Sequence, residues 1–112
     1  MSRESEVVNL LTERTNRGSQ KWEPTAEPGE FATVVGEVSI TICALPDREE
    51  PASPNYLITV KDSRGNAVLE ILNHAEGVTY KQLKDLFERA RRQALNLDKT
   101  LDALIDQLKK EK

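Results

Sequence analysis

The strongest constraint in this sequence is a change of hydrophobic period. Between Phe31 and Ile42 the period is two: Phe31, Thr33 and Val35 alternate with Ala32 and Val34 before Gly36-Glu37, and Val38, Ile40 and Ile42 alternate with Ser39 and Thr41 after it. Successive side chains of a strand point to opposite faces, so this alternation marks two half-buried strands. A two-residue loop with glycine first suits a type II′ hairpin. It predicts Val35 opposite Val38, Thr33 opposite Ile40 and Phe31 opposite Ile42, all on one face. The same arithmetic predicts a second hairpin around the loop Ser63-Arg64-Gly65-Asn66, with Asp62 facing Ala67, Val60 facing Leu69 and Ile58 facing Ile71.

Outside this region the spacing is helical. Val7, Val8, Leu10 and Leu11 form a first stripe, with Ser2 placed to cap its start and Gly18 to end it. Pro24, Pro28 and Gly29 make the stretch from Trp22 an extended connector. Thr79 is placed to cap a second helix with Leu83, Leu86, Phe87, Ala90 and Ala94 on one side. Asp98 is placed to cap a third, whose stripe is Leu101, Leu104, Ile105 and Leu108.

A meander with one apolar face needs a cover, and amphipathic helices need a surface to bury. The expectation is an α+β fold: a four-stranded antiparallel meander covered on one face by the N-terminal helix and two C-terminal helices. In it Leu11, Leu83, Phe87 and Leu104 pack onto the sheet, and Ser39, Thr41, Thr59 and Lys61 meet water. A chain of 112 residues suffices for one such core, so residues 1–112 read as a single domain. Residues 45–54, acidic and proline-bearing, read as a mobile loop.

The formal charge of -3 disfavours phosphate-rich partners unless a local basic patch overrides it. One cysteine excludes an internal disulfide, and no signal or membrane segment is visible, so the expected location is cytoplasmic. Catalysis by acid, base or nucleophile needs converging groups, and the chain offers little for it. Its single histidine, His74, follows the last strand as a loop residue. Cys43 falls out of phase with Ile40 and Ile42, as a plain strand residue with no cation nearby in sequence. Asp98, Asp102 and Asp106 share a helix face but stand about 6 Å apart, too far to grip one ion together. No phosphate-binding glycine loop exists. Neither a cofactor nor a metal is expected.

Two features remain as a possible interaction surface. Trp22, the single tryptophan, either packs over the sheet edge or stands out as a binding anchor. Helix 80–95 carries Lys81, Lys84, Arg89, Arg91 and Arg92 against Asp85 and Glu88. The pairs Lys81–Asp85, Lys84–Glu88, Asp85–Arg89 and Glu88–Arg92 all fall at i, i+4, which predicts a salt-laced solvent face.

The run Lys21-Trp22-Glu23-Pro24-Thr25 after a first helix, the Phe31 hairpin, and Ala90-Arg91-Arg92-Gln93-Ala94-Leu95 followed by Asp98 and Leu101 resemble a loose group of small uncharacterised bacterial proteins. The resemblance spans most of the chain, departs at the insertion from Leu45 to Pro54, and implies no activity or site residue. The functional expectation is a non-enzymatic protein-interaction module, with a homodimer as one form. The alternative is a nucleic-acid-binding or regulatory protein using the basic helix 80–95.

Overall fold

A computed structural model describes residues 3–45, 54–73 and 77–110. Helix α1 (Arg3–Asn16) precedes strands β1 (Glu23–Pro24), β2 (Glu30–Val35), β3 (Val38–Leu45), β4 (Asn55–Lys61) and β5 (Ala67–Leu72). Helices α2 (Tyr80–Ala94) and α3 (Leu97–Lys110) follow. The strands form one antiparallel meander in sequence order. The fold is therefore α+β, with five strands instead of the expected four.

The additional strand is the connector. Glu23 pairs with Ala32 and Pro24 with Phe31, so the chain joins the sheet for two residues at its edge. A proline is tolerated there because no ladder partner needs its missing N–H. Pro28-Gly29 then turns the chain back into β2, with Gly29 at φ 76°.

The first hairpin has the predicted pairs, Val35 with Val38, Thr33 with Ile40 and Phe31 with Ile42. Gly36 has φ 61°, and Glu37 is not among the positive-φ residues, the asymmetry of a type II′ turn. The second hairpin keeps Ile58 with Ile71 and Val60 with Leu69, but Lys61, not Asp62, pairs with Ala67. Its loop is tighter than expected. Asp62 N–H donates to Asn66 O, Gly65 N–H donates to Asp62 O, and Gly65 takes φ 86°. The pairs step from Lys61–Ala67 to Val60–Leu69, so the ladder slips there with Val68 as the extra residue. The Asp62 carboxylate accepts from the backbone of Arg64 and Asn66, fixing this geometry.

The helix ends follow from local chemistry. Gly18 at φ 76° closes α1, with Gly18 N–H donating to Thr15 O and Ser19 N–H to Arg14 O. Those two bonds satisfy carbonyls that the helix leaves unpaired. Thr79 caps α2 as expected and exchanges bonds with Gln82 in a capping box. Asp98 does not cap α3, which already begins at Leu97. The expected cap Ser2 lies outside the described residues.

One core gathers Val8 and Leu11 of α1, Leu83, Leu86, Phe87 and Ala90 of α2, and Phe31, Ile40, Ile42, Tyr56, Ile58 and Ile71 of the strands. Phe87 bridges Phe31 and Tyr56, with ring centroids 5.7 and 5.0 Å away. Val35, Val38 and Val60 are half-buried against this core, whereas Leu69 is exposed. Ser39, Thr41, Thr59 and Lys61 are partly exposed. The expected three-helix cover is not formed as stated: α3 has no buried residue, and Leu104, expected in the core, is 52% exposed. Residues 46–53 of the expected mobile loop 45–54 lie outside the described residues.

Candidate functional site

Helix α3 buries none of its residues and still carries an apolar stripe. Leu97, Leu101, Leu104 and Leu108 recur at spacings of four, three and four, and Ile105 widens the stripe. Leu101, Leu104, Ile105 and Leu108 are 47, 52, 47 and 72% exposed. Scattered exposed leucines need no explanation, but a contiguous set on one helix face marks a contact surface.

The direction of α3 is set at its junction with α2. Leu95 N–H donates to Arg91 O, Asn96 N–H donates to Gln93 O, and Asn96 takes φ 52°. Asparagine tolerates this left-handed conformation better than most residues. Thr100 N–H then donates to Asn96 O, so α3 starts one residue after α2 is closed. Beyond this turn α3 meets the rest of the chain at α2 and buries none of its own residues.

The same junction forms an open concavity of about 480 Å³ lined by Thr15, Asn16, Arg89, Arg92, Gln93, Asn96, Asp98 and Lys99. Arg89 and Arg92 come from the predicted basic helix, and Lys99 joins them from α3. Arg89, Arg91 and Arg92 are all exposed, but Arg91 does not line the concavity. None of the four predicted i, i+4 ion pairs is formed among the described residues. Arg92 instead reaches Asp98 at 3.1 Å, an exposed pair of small energetic value.

Trp22 is not part of an exposed surface. It is 3% exposed and belongs to the core, which corrects its place in the expected interaction surface. Its indole Nε1 donates to Thr15 Oγ1 at 2.9 Å, and its backbone N–H donates to Gln93 Oε1 at 2.7 Å. Gln93 Nε2 donates to Gln20 O at 2.7 Å, so one α2 side chain clamps the connector like a neighbouring strand. On the strand side Gln20 Nε2 donates to Thr33 Oγ1, which donates in turn to Lys21 O. Gln93 and Gln20 carried no signal in the sequence, because their roles need three elements to converge.

The remaining candidates stay apart. Burial pushes the Cys43 thiol up, and Glu30, its cross-strand partner, adds to the shift. We expect iodoacetamide to alkylate Cys43 several-fold more slowly at pH 8 than the unfolded chain. Equal rates in native buffer and in denaturant would contradict this environment. His74 lies outside the described residues. Asp98, Asp102 and Asp106 are exposed, and no group of His, Cys, Asp or Glu placed to hold a metal ion occurs among the described residues. No helix among them is long and apolar enough to cross a membrane.

Tyr56 is held protonated, its hydroxyl pushed up to about 12 by burial first and then by Tyr80 and Glu88. A tyrosine in the unfolded chain ionises near ~10. Above that pH the unfolded state binds fewer protons than the folded one, so stability present below pH ~10 declines as pH rises toward 12. Urea unfolding at pH 9 and 11 should show a smaller loss for Tyr56→Phe than for the parent, and equal losses would contradict the assignment.

No family model, curated protein or solved structure matches the chain.

Proposed function

We propose that the protein is a non-enzymatic protein-interaction module and that α3 is its docking element. The observation that carries this reading is the set of four large aliphatic residues exposed on one stripe of a helix that buries none of its residues. A 14-residue helix is near the length at which isolated helices are marginal in water. Its apolar stripe contributes stability when another surface covers it. The site requires no catalytic group, cofactor or metal for that role.

The test is retention by the immobilised chain from a lysate of its native source, compared with Leu101→Asp/Leu108→Asp. Proteins held by the parent and released by the variant are expected. Identical retention by both would contradict α3 as the docking element.

The second reading is recognition of phosphate groups, including those of nucleic acid. It is favoured by the concavity that brings Arg89, Arg92 and Lys99 together. Heparin retention should then fall with salt and be lost in Arg89→Glu/Lys99→Glu. Retention unchanged by that pair would remove the concavity from consideration.

A further inference from the structure

We infer that the occupant of the α3 stripe is α3 of a second copy, paired antiparallel about a two-fold axis. The inference rests on the reading of α3 as the docking element and names its partner. Two properties of the helix lead to it.

The first is the symmetry of the stripe. Leu101 and Leu108 lie equally far from the midpoint between Leu104 and Ile105, so reversing the helix maps each of these four exposed positions onto another. In an antiparallel pair Leu101 meets Leu108 of the second copy, and Leu104 meets its Ile105. A two-fold interface requires such self-complementarity, and it closes after two copies.

The second is charge. At 3.6 residues per turn, Asp98, Asp102 and Lys109 share one flank of the stripe, while Thr100 and Gln107 occupy the other. Antiparallel pairing sets the charged flank against its own reverse and brings Asp102 beside Lys109 of the second copy. Asp98 lies on the same flank, where it also makes an exposed contact with Arg92 of its own chain at 3.1 Å. Parallel pairing would set the charged flank against the neutral one, gather Lys109 and Lys110 of both copies at one end, and align the two helix dipoles unfavourably.

Four part-exposed aliphatic side chains cover less than the ~800 Å² per partner typical of tight complexes. The expected association is therefore weak, micromolar or weaker rather than nanomolar.

Sedimentation of the full chain across low-micromolar to millimolar concentration should show the mass rising from 12.6 kDa toward twice that value. Leu104→Asp should remain at 12.6 kDa, with the melting temperature that the parent shows in dilute solution. Orientation is tested in a Cys43→Ser background after mild oxidation. A mixture of Leu101→Cys and Leu108→Cys chains should crosslink, and neither variant should crosslink alone. Crosslinking of each variant alone would overturn the antiparallel arrangement. A dimer without the mixed crosslink would place α3 elsewhere on the second copy, for example in the apolar notch formed by Val7, Leu10, Leu11, Val35 and Ile40, and would also overturn it. A monomer at every concentration would overturn self-pairing, while lysate retention lost on Leu101→Asp/Leu108→Asp would keep the docking role of α3 intact. Failure of both experiments would remove that role as well.

Discussion

Trp22→Ala is expected to destabilise the protein by ~3–5 kcal/mol, the range for removing a buried large aromatic side chain. That is a large part of the ~5–15 kcal/mol that holds a small domain folded. Two contributions combine at this site. The indole is 3% exposed within the core, and its Nε1–H satisfies Thr15 Oγ1 at the end of α1. Trp22→Phe separates them, because it keeps much of the burial and deletes the donor, and should cost ~1–3 kcal/mol. Urea unfolding of the two variants should rank Ala well below Phe. A loss under ~1 kcal/mol for Trp22→Ala would show that the connector is not anchored through this ring.

The stripe of α3 should behave in the opposite way. Leu101→Asp/Leu108→Asp is expected to change monomer stability by less than ~0.5 kcal/mol, as surface substitutions do. The same pair should weaken association by at least ~100-fold, since each aspartate must lose water to enter an apolar seam. The separation is diagnostic. A core position cannot lose a leucine without cost to the fold, and a mere surface position cannot abolish assembly. Denaturation below 1 µM alongside sedimentation at high concentration provides the comparison. A stability loss above ~2 kcal/mol in dilute solution would assign the stripe to the core.

Local chemistry was legible in the sequence where the turn residues determine pairing. Gly36 first in a two-residue loop fixes the register of β2 and β3, and the helix boundaries at Gly18 and Thr79 follow from the glycine C-cap and the capping box. The shorter loop beyond Asp62 and the slip between Val60 and Lys61 were less visible, because Ser63-Arg64-Gly65-Asn66 reads as four loop residues until the Asp62–Asn66 bond makes the loop one residue shorter. Strand β1 was hidden by Pro24, which argues against a central strand but permits an edge.

The destination of α3 was not legible. Periodicity identifies the apolar side of Leu101, Leu104, Ile105 and Leu108, but not what that side meets. The chain changes direction at Asn96, whose left-handed conformation separates α2 from α3 and carries no hydrophobic signal. The same turn brings Asp98 to Arg92 in place of Glu88, and brings Lys99 into the concavity that Arg89 also lines. Trp22 was ambiguous for a related reason, since a lone tryptophan in a connector is either anchor or core until Thr15 and Gln93 are seen to hold it.

The measurement that bears most directly on the central claim is amide hydrogen exchange in α3 as a function of protein concentration. At sub-micromolar concentration the amides of Leu97–Lys110 should exchange orders of magnitude faster than those of Leu83–Ala90 in α2, because nothing buried holds the last helix closed. At several hundred micromolar, where the stripe is covered, α3 should gain protection while α2 stays unchanged. Protection of α3 equal to that of α2 in the dilute monomer would contradict the account, since it would mean that the helix is folded into the core of its own chain.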